Sequence, residues 1–249
     1  MERETSDQYA EIDQAFFGDG YRLAASSLHD KLNNETLLNH LKAQYNIIDS
    51  LLESFQHRVI ANGVGIDCRK GCAWCCHQQV LVMPGEMLLV ADYIENNLDS
   101  ETKKVILQRA VEKDEKVKDL DAGKALQAKI PCPLLQDGSC SVYPVRPMAC
   151  RIYLSSNLDS CLQEFHHPDD PNAYPELFDF PLHAGRMMNS GLIYYLKEKN
   201  INVYENRLEK LLRMILKDPE RGEMWLSRAD DLSEGYEQVE DIVKLREKT

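Results

Sequence analysis

The eight cysteines of this 249-residue chain all lie between residues 68 and 161, and this clustering constrains the fold more than any other feature. Four of them stand in one short segment, CRKGCAWCCH, at residues 68–77. The other four follow after a long spacer. The eight candidate metal ligands are Cys68, Cys72, Cys75, Cys76, Cys132, Cys140, Cys150 and Cys161. Cysteines spaced in this way are typical of a metal site.

Disulfide bonds are the alternative use of these cysteines, and the N-terminal sequence argues against them. The first residues, MERETSDQYAE, are acidic and polar and lack the positively charged region and the apolar region of an export signal. No segment is apolar over the length that a membrane span needs. We therefore expect a cytoplasmic chain without a membrane partner, in which the thiols stay reduced.

The charge of the chain argues against nucleic acid as a partner. The formal net charge is -12, and binding of a phosphate backbone needs clustered Lys and Arg. The basic residues between 103 and 129 instead alternate with acidic ones, as on the solvated face of a helix. The expected partner is a metal ion, and the sequence does not identify a protein partner.

Helical patterns flank the cysteines on the N-terminal side, and residues 1–63 form the first predicted region. Residues 1–32 predict one or two short helices interrupted at the GDG of 18–20. From Asn34, interpreted as an N-cap, apolar residues recur at steps of three and four until the predicted end near Asn62 and Gly63.

The second predicted region, residues 64–165, is a cysteine-cluster metal-binding domain with a helical insertion. QVLVM, at 79–83, predicts a short strand, and Pro84 is suited to the first turn of the helix that follows. A charged helix from about Glu101 to Leu120, capped at Asp99 and Ser100, is interpreted as a surface helix or spacer.

The later cysteines of this region lie on a predicted hairpin and a proline-rich linker. Residues 131–143 read as two short strands joined by Asp137-Gly138, which would place Cys132 and Cys140 opposite each other. The prolines of PVRPMACR predict that Cys150 lies on a rigid loop or at a helix start.

Residues 166–249 form the third predicted region, which is helical and packs on the same core. After an irregular segment at 166–181, Met188, Leu192, Tyr195 and Leu196 predict one helix. A second helix, at 205–217, shows its apolar face and is stopped by Asp218-Pro219. EDIVKLREKT, at 240–249, predicts a frayed helix. The predicted fold is mainly α, with helices enclosing a small irregular cysteine-rich metal core and a short β-hairpin.

Four thiolates suffice to close a tetrahedral zinc site or to hold an iron–sulfur cluster, so eight suffice for two sites. Cys75 and Cys76 are neighbours, and neighbouring side chains point in different directions. This adjacency favours two metals or one polynuclear centre. Zinc and iron, including an iron–sulfur cluster, are the candidate cofactors, and no residue is assigned a catalytic role or a role in binding an organic cofactor.

Charged residues near the cysteines have two readings each. Arg146 and Arg151 either offset the negative charge of thiolates or form surface salt bridges. His77, His166 and His167 are either ligands or solvated loop residues. The sequence does not decide between these readings.

The spacing of Cys68, Cys72 and Cys75, with Trp74 before the third cysteine, matches that of radical SAM enzymes. Those enzymes place the motif after the first strand of an alternating β/α pattern. Here a long amphipathic helix precedes it, which disfavours this alternative.

CRKGCAWCC followed by CPLLQDGSCSVYPVRPMACR resembles the YkgJ-like cysteine cluster family, described as a zinc- or iron-chelating domain, over about residues 66–155. The resemblance implies that seven cysteines are metal ligands, with Cys161 beyond the strongest part of the motif. The flagellin lysine methylase FliB is similar in the same motifs. The expected function is thiolate metal binding, and the alternative is an iron–sulfur enzyme with redox or protein-modifying chemistry.

Overall fold

The computed structural model describes residues 2–230 and 232, and within them the chain is mainly helical. The α-helices are α1 (Glu2–Ser27), α2 (Asn34–Ala61), α3 (Pro84–Asn97), α4 (Ser100–Val117), α5 (Ala122–Gln127), α6 (Met148–Arg151), α7 (Leu158–His166), α8 (Asp179–Glu198), α9 (Leu208–Lys217) and α10 (Arg221–Leu226). The strands are β1 (Leu81–Val82), β2 (Leu135–Gln136), β3 (Ser139–Cys140) and β4 (Asn206–Arg207), and short 3-10 turns cover Trp74–His77 and Tyr143–Val145. The prediction of a mainly α fold is confirmed.

Helix α1 runs unbroken through the GDG segment, so the predicted interruption is wrong. Gly20 lies against the backbone of α8, where an added Cβ would stand 2.2 Å from the carbonyl oxygen of Met188. On α8, a Cβ at Gly191 would stand 2.3 Å from the carbonyl oxygen of Phe17. These glycines therefore allow two helices to pack at close range, and sequence reasoning mistook one of them for a turn.

Helix α2 has the predicted length, and its N-cap is Asn33 rather than Asn34. The side chain of Asn33 accepts a 3.0 Å hydrogen bond from the Thr36 backbone N–H, and the Asn33 N–H donates a 3.1 Å hydrogen bond to the Thr36 hydroxyl oxygen. Asn62 ends the helix as predicted, and Gly63 follows with φ of 79°. The chain turns there towards the first cysteine.

The predicted strand at 79–83 is confirmed as β1, and its partner is the unpredicted β4. The two strands pair antiparallel, with Leu81 opposite Arg207. A two-residue strand of Asn and Arg carries none of the β-branched pattern that predicts strands. Helix α9, predicted from residue 205, begins directly after this strand at Leu208.

Helix α4 begins as predicted after the cap Asp99. Its interpretation as a surface helix or spacer is wrong for one of its faces, which is buried. Lys113 and Asp114 are buried there, and α4 packs on α9. Asp114 lies 2.8 Å from Arg207, and Lys113 lies 3.8 Å from Glu209. Charged side chains are buried only when paired, and these partners come from residues almost a hundred positions away.

The hairpin of β2 and β3 is confirmed, with Asp137 and Gly138 both at positive φ in its turn. Cys140 stands opposite Leu135 in the register, so the expectation that it faces Cys132 across the strands is wrong. Cys132 precedes β2 by three residues. Cys150 lies in the short helix α6, as predicted.

The core is formed mainly by α2, α3, α8 and α9. Its fully buried apolar side chains include Leu37, Leu41, Ile48, Met87, Leu89, Met188, Leu192, Leu211 and Leu212. The prediction for 240–249 lies outside the described residues, and the division into three regions at 63/64 and 165/166 stays a prediction. Among the described residues, no helix is both long and apolar enough to span a membrane.

Candidate metal centre

Five elements present the eight cysteines, and all eight are free thiols that are partly buried. The loop after α2 carries Cys68 and Cys72, and the turn Trp74–His77 carries Cys75 and Cys76. Cys132 and Cys140 belong to the hairpin region, Cys150 to α6 and Cys161 to α7. Segments far apart in the sequence therefore meet at the cysteines.

Cys68, Cys72 and Cys161 form what we call the outer thiol group, because each interacts electrostatically with the other two. The backbone N–H of Ser155 donates a 3.1 Å hydrogen bond to the sulfur of Cys68. Burial nevertheless raises the pKa of Cys68 to about 11. Cys161 lies beyond the strongest part of the motif, and its thiol nevertheless interacts with thiols of the first motif.

Cys76, Cys132, Cys140 and Cys150 form what we call the inner thiol group. Cys76 interacts electrostatically with Cys132 and Cys150, and Cys140 interacts with the same two. The Cys132 N–H donates a 2.7 Å hydrogen bond to the carbonyl of Cys76, which ties the hairpin region to the first motif. Burial raises the pKa of Cys132 to about 12 and also raises that of Cys150.

Cys75 lies between the two groups. Its thiol interacts with Cys68 and Cys161 on one side and with Cys140 and Cys150 on the other. A hydrogen bond between the adjacent thiols lowers the pKa of Cys75 and raises that of Cys76. The neighbouring cysteines thus connect the two groups.

Arg146 and Arg151, which the sequence could not separate, have different environments. Arg146 interacts with the thiols of Cys75, Cys140 and Cys150, and its guanidinium lies 4.0 Å from the ring centroid of Tyr143. Arg146 also lies 3.9 Å from Asp49, so its guanidinium faces a carboxylate as well as the thiols.

Arg151 is instead a buried structural residue. Its side chain is 0% exposed and forms an ion pair with Asp49. The guanidinium also donates to the Pro144 carbonyl at 2.8 Å and lies 4.3 Å from the ring centroid of Tyr45. Arg151 therefore fixes the end of α6 against α2.

His77 and His166 both lie against the ring of Phe165 on α7. The His77 ring lies 4.9 Å from that of Phe165, and its Nδ1 donates a 3.1 Å hydrogen bond to the Ala73 carbonyl. His166 is exposed, with its ring 6.0 Å from that of Trp74, and His167 is exposed at the end of α7. Because Nδ1 of His77 is a donor, its Nε2 is the nitrogen with a lone pair.

Glu86 is a site residue that sequence reasoning missed. It is 2% exposed on α3 and accepts hydrogen bonds from the backbone N–H groups of Met83 and Met148. Since Met148 begins α6, Glu86 holds the helix that carries Cys150. The sequence pattern that could have identified Glu86 is a capping box, in which Glu86 stands three residues after Met83 at a helix start.

As the side chains stand, no group of three or more His, Cys, Asp or Glu in residues 2–230 and 232 has a geometry that could hold a metal ion. The donor set itself suits zinc or iron, because thiolates are the ligands of structural zinc sites and of iron–sulfur clusters. Rotation about χ1 moves a cysteine sulfur without moving the backbone. The cysteines therefore fit zinc or iron in their chemistry, and binding of either metal would require some of their side chains to change rotamer.

Fold and site together define a mainly helical protein built around a cysteine-cluster domain. A family model described as "CxxCxxCC: Putative zinc- or iron-chelating domain" matches residues 67–170, so this part of the chain is similar to that cysteine-cluster family. The match covers less than half of the chain and contains all eight cysteines. No curated protein and no solved structure matches the chain. The expected similarity to the flagellin lysine methylase FliB thus has no support from the comparisons.

Proposed function

We propose that this protein binds zinc or iron through the thiolates of all eight cysteines, in two neighbouring centres. The observation that carries the proposal is the grouping of the thiols around Cys75 and Cys76. Cys68, Cys72, Cys75 and Cys161 would supply one centre. The inner thiol group would supply the other.

The desolvation of the thiols supports the proposal. Burial raises the pKa of Cys68, Cys132 and Cys150, so these thiols are protonated in the absence of a compensating cation. A bound metal ion reverses this preference, because a coordinated thiol is deprotonated. Two divalent ions would still leave an excess of negative charge, which Arg146 is placed to offset.

Elemental analysis of the full chain, purified without oxygen, tests the proposal. We expect about two equivalents of zinc or iron for two centres. A colourless protein would indicate zinc thiolate sites, and a brown one an iron–sulfur cluster. Absence of both metals, with eight freely titratable thiols, would contradict the proposal.

Single substitutions test the grouping. Cys161→Ser should release the metal of the outer group and leave that of the inner group, and Cys140→Ser should do the reverse. Gln163→Ser, at an exposed position of the same helix as Cys161, is the matched control and should retain both metals. If either cysteine variant loses all bound metal while remaining folded, the thiols form one polynuclear centre and the division into two is wrong.

A further inference from the structure

A cleft of about 280 Å³ lies between α4 and residues 130–135. Arg109, Glu112, Lys113 and Lys116 line it from α4, and Cys132 lines it from the opposite side together with apolar side chains of residues 130–135. A second cleft of about 140 Å³ adjoins it and shares Arg109. A cysteine of the inner thiol group thus borders a solvent-filled space.

The lining of this cleft is positive in a chain whose net charge is -12. Three of the four charged residues that α4 contributes are cations. Glu112, the exception, accepts a 2.8 Å hydrogen bond from Gln108. Lys116 is exposed and makes no ion pair within the part of the chain that the structure describes. An anion entering the cleft would therefore meet cations that are not already neutralised.

The buried charges below the cleft do not cancel the positive charge of its lining. Lys113 donates a 3.1 Å hydrogen bond to the carbonyl of Ile130 and lies 3.8 Å from Glu209. Beneath it, Asp114 pairs with both Arg207 and Arg213. Together, the residues of this cluster comprise three cations and two carboxylates. The cluster adds positive charge behind the cleft, where screening by water is weakest.

Arg109 is held in position for a planar anion. Its Nη1 donates a 2.7 Å hydrogen bond to the carbonyl of Leu135, which anchors one side of the guanidinium. The remaining N–H groups match a carboxylate in bidentate geometry. The apolar side chains of 130–135 would cover a carbon skeleton, which inorganic phosphate lacks. The lining therefore favours a small polycarboxylate.

We propose that this cleft binds a small polycarboxylate anion and that metal reaches Cys132 as a complex with such an anion. The second part rests on the proposed function. Carboxylate oxygens carry metal ions in exchangeable form, and thiolates bind zinc more strongly. For each metal–sulfur bond that forms, one metal–oxygen bond breaks, and the thiol proton passes to the released carboxylate or to water.

Binding of citrate to the full-length protein, measured by calorimetry, tests the site without any metal. Arg109→Gln should raise the dissociation constant roughly tenfold or more, because a charge-assisted bidentate contact is lost. Lys116→Gln should raise it by up to roughly fivefold. Lys104→Gln removes an exposed cation of the same helix outside the cleft and is the matched control. Inorganic phosphate should bind more weakly than citrate.

The rate at which metal binds to the metal-free protein tests whether the anion complex delivers metal through the cleft. Chelator-treated wild-type protein and variants receive zinc either as its citrate complex or as the aqua ion, and thiolate–metal absorbance is followed. Arg109→Gln and Lys116→Gln should slow loading from the citrate complex and leave loading from the aqua ion unchanged. Thermal unfolding of each variant shows that the fold is retained, and Lys116→Gln removes no ion pair formed among residues 2–230 and 232.

Distinct results would overturn each part. Absence of citrate binding, or equal affinity in Lys116→Gln, Arg109→Gln and wild type, would exclude the cleft as the site. Equal slowing of both loading reactions would exclude delivery through it. If neither zinc source loads the wild-type protein, the proposed function fails, whereas the citrate measurement still decides whether the cleft binds the anion.

Discussion

The carboxylate of Glu86 accepts a 2.7 Å hydrogen bond from the backbone N–H of Met148, 62 residues later in the chain. Met148 begins α6, and Cys150 lies in the same short helix. Glu86 also accepts a 3.0 Å hydrogen bond from the hydroxyl of Tyr45 on α2. One buried carboxylate on α3 thus joins α2 to the segment that carries a cysteine of the inner thiol group.

Glu86→Ala should therefore lower both stability and metal content. The substitution leaves the Tyr45 hydroxyl and the N–H groups of Met83 and Met148 without their acceptor, at a cost of about 3 kcal/mol or more in the free energy of unfolding. Denaturant unfolding and elemental analysis measure the two effects. Glu95→Ala, on the exposed face of the same helix, should cost less than about 1 kcal/mol. Equal stability of the two variants would contradict this role for Glu86.

The contact between α1 and α8 predicts opposite effects for two glycines in one helix. Gly20→Ala places a methyl group against the backbone of Met188 and should destabilise the protein by about 2 kcal/mol or more. Gly18→Ala meets only the flexible end of the Arg22 side chain and should gain up to about 1 kcal/mol from helix propensity. Urea denaturation of both variants checks the prediction, which fails if Gly20→Ala is as stable as wild type.

A buried histidine predicts how stability changes with pH. His40 is 1% exposed, with Nδ1 2.7 Å from the hydroxyl of Ser27. Burial lowers its pKa from 6.5 to about 4, against a hydrogen bond with Gln44 that raises it. At a pH between about 4 and 6.5, His40 binds a proton in the unfolded chain but not in the folded chain. The stability that His40 contributes is therefore complete above about pH 6.5 and decreases as the pH falls from there to about 4.

His40 alone should account for roughly 2 kcal/mol of lost stability between pH 7.5 and pH 5. Removing this titration by His40→Gln should flatten the pH dependence of the free energy of unfolding in that range. His57→Gln, on the exposed side of the same helix, should leave the slope unchanged. An unchanged slope in the His40 variant would show that other groups cause the acid sensitivity.

Substitutions of the two arginines near the cysteines should have different effects on metal affinity and on stability. Arg146→Gln removes a cation that interacts with Cys75 and Cys140, so metal affinity should fall roughly tenfold, whereas the loss of its 3.9 Å ion pair with Asp49 should cost less stability than the loss of Arg151. Arg151→Gln removes a buried contact to Asp49 and the Pro144 carbonyl and should cost about 2 kcal/mol or more in stability. Competition with a chromophoric chelator and thermal unfolding measure these effects. The assignment is wrong if Arg146→Gln unfolds the protein and leaves metal affinity intact.

Local sequence patterns predicted the parts of the fold that depend on local chemistry. The long helix α2, the entry of α3 at Pro84 and the turn at Asp137-Gly138 each follow from caps, periodicity or backbone preferences of neighbouring residues. The short helices α5, α7 and α10 were not predicted. Each has nine residues or fewer, so its apolar period is too short to recognise.

The sequence by itself determined the candidate donor set, since eight cysteines confined to 68–161 define the chemistry wherever the chain places them. Only the tertiary structure decided how the thiols are grouped. It brings Cys161 into electrostatic interaction with Cys68 and Cys72, and it is Arg146 rather than Arg151 that interacts with the thiols of Cys75, Cys140 and Cys150. The physical reason is distance along the chain. Residue type sets what a side chain can bind, whereas contacts such as Glu86 to Met148 arise from helices that meet only when the whole core is packed.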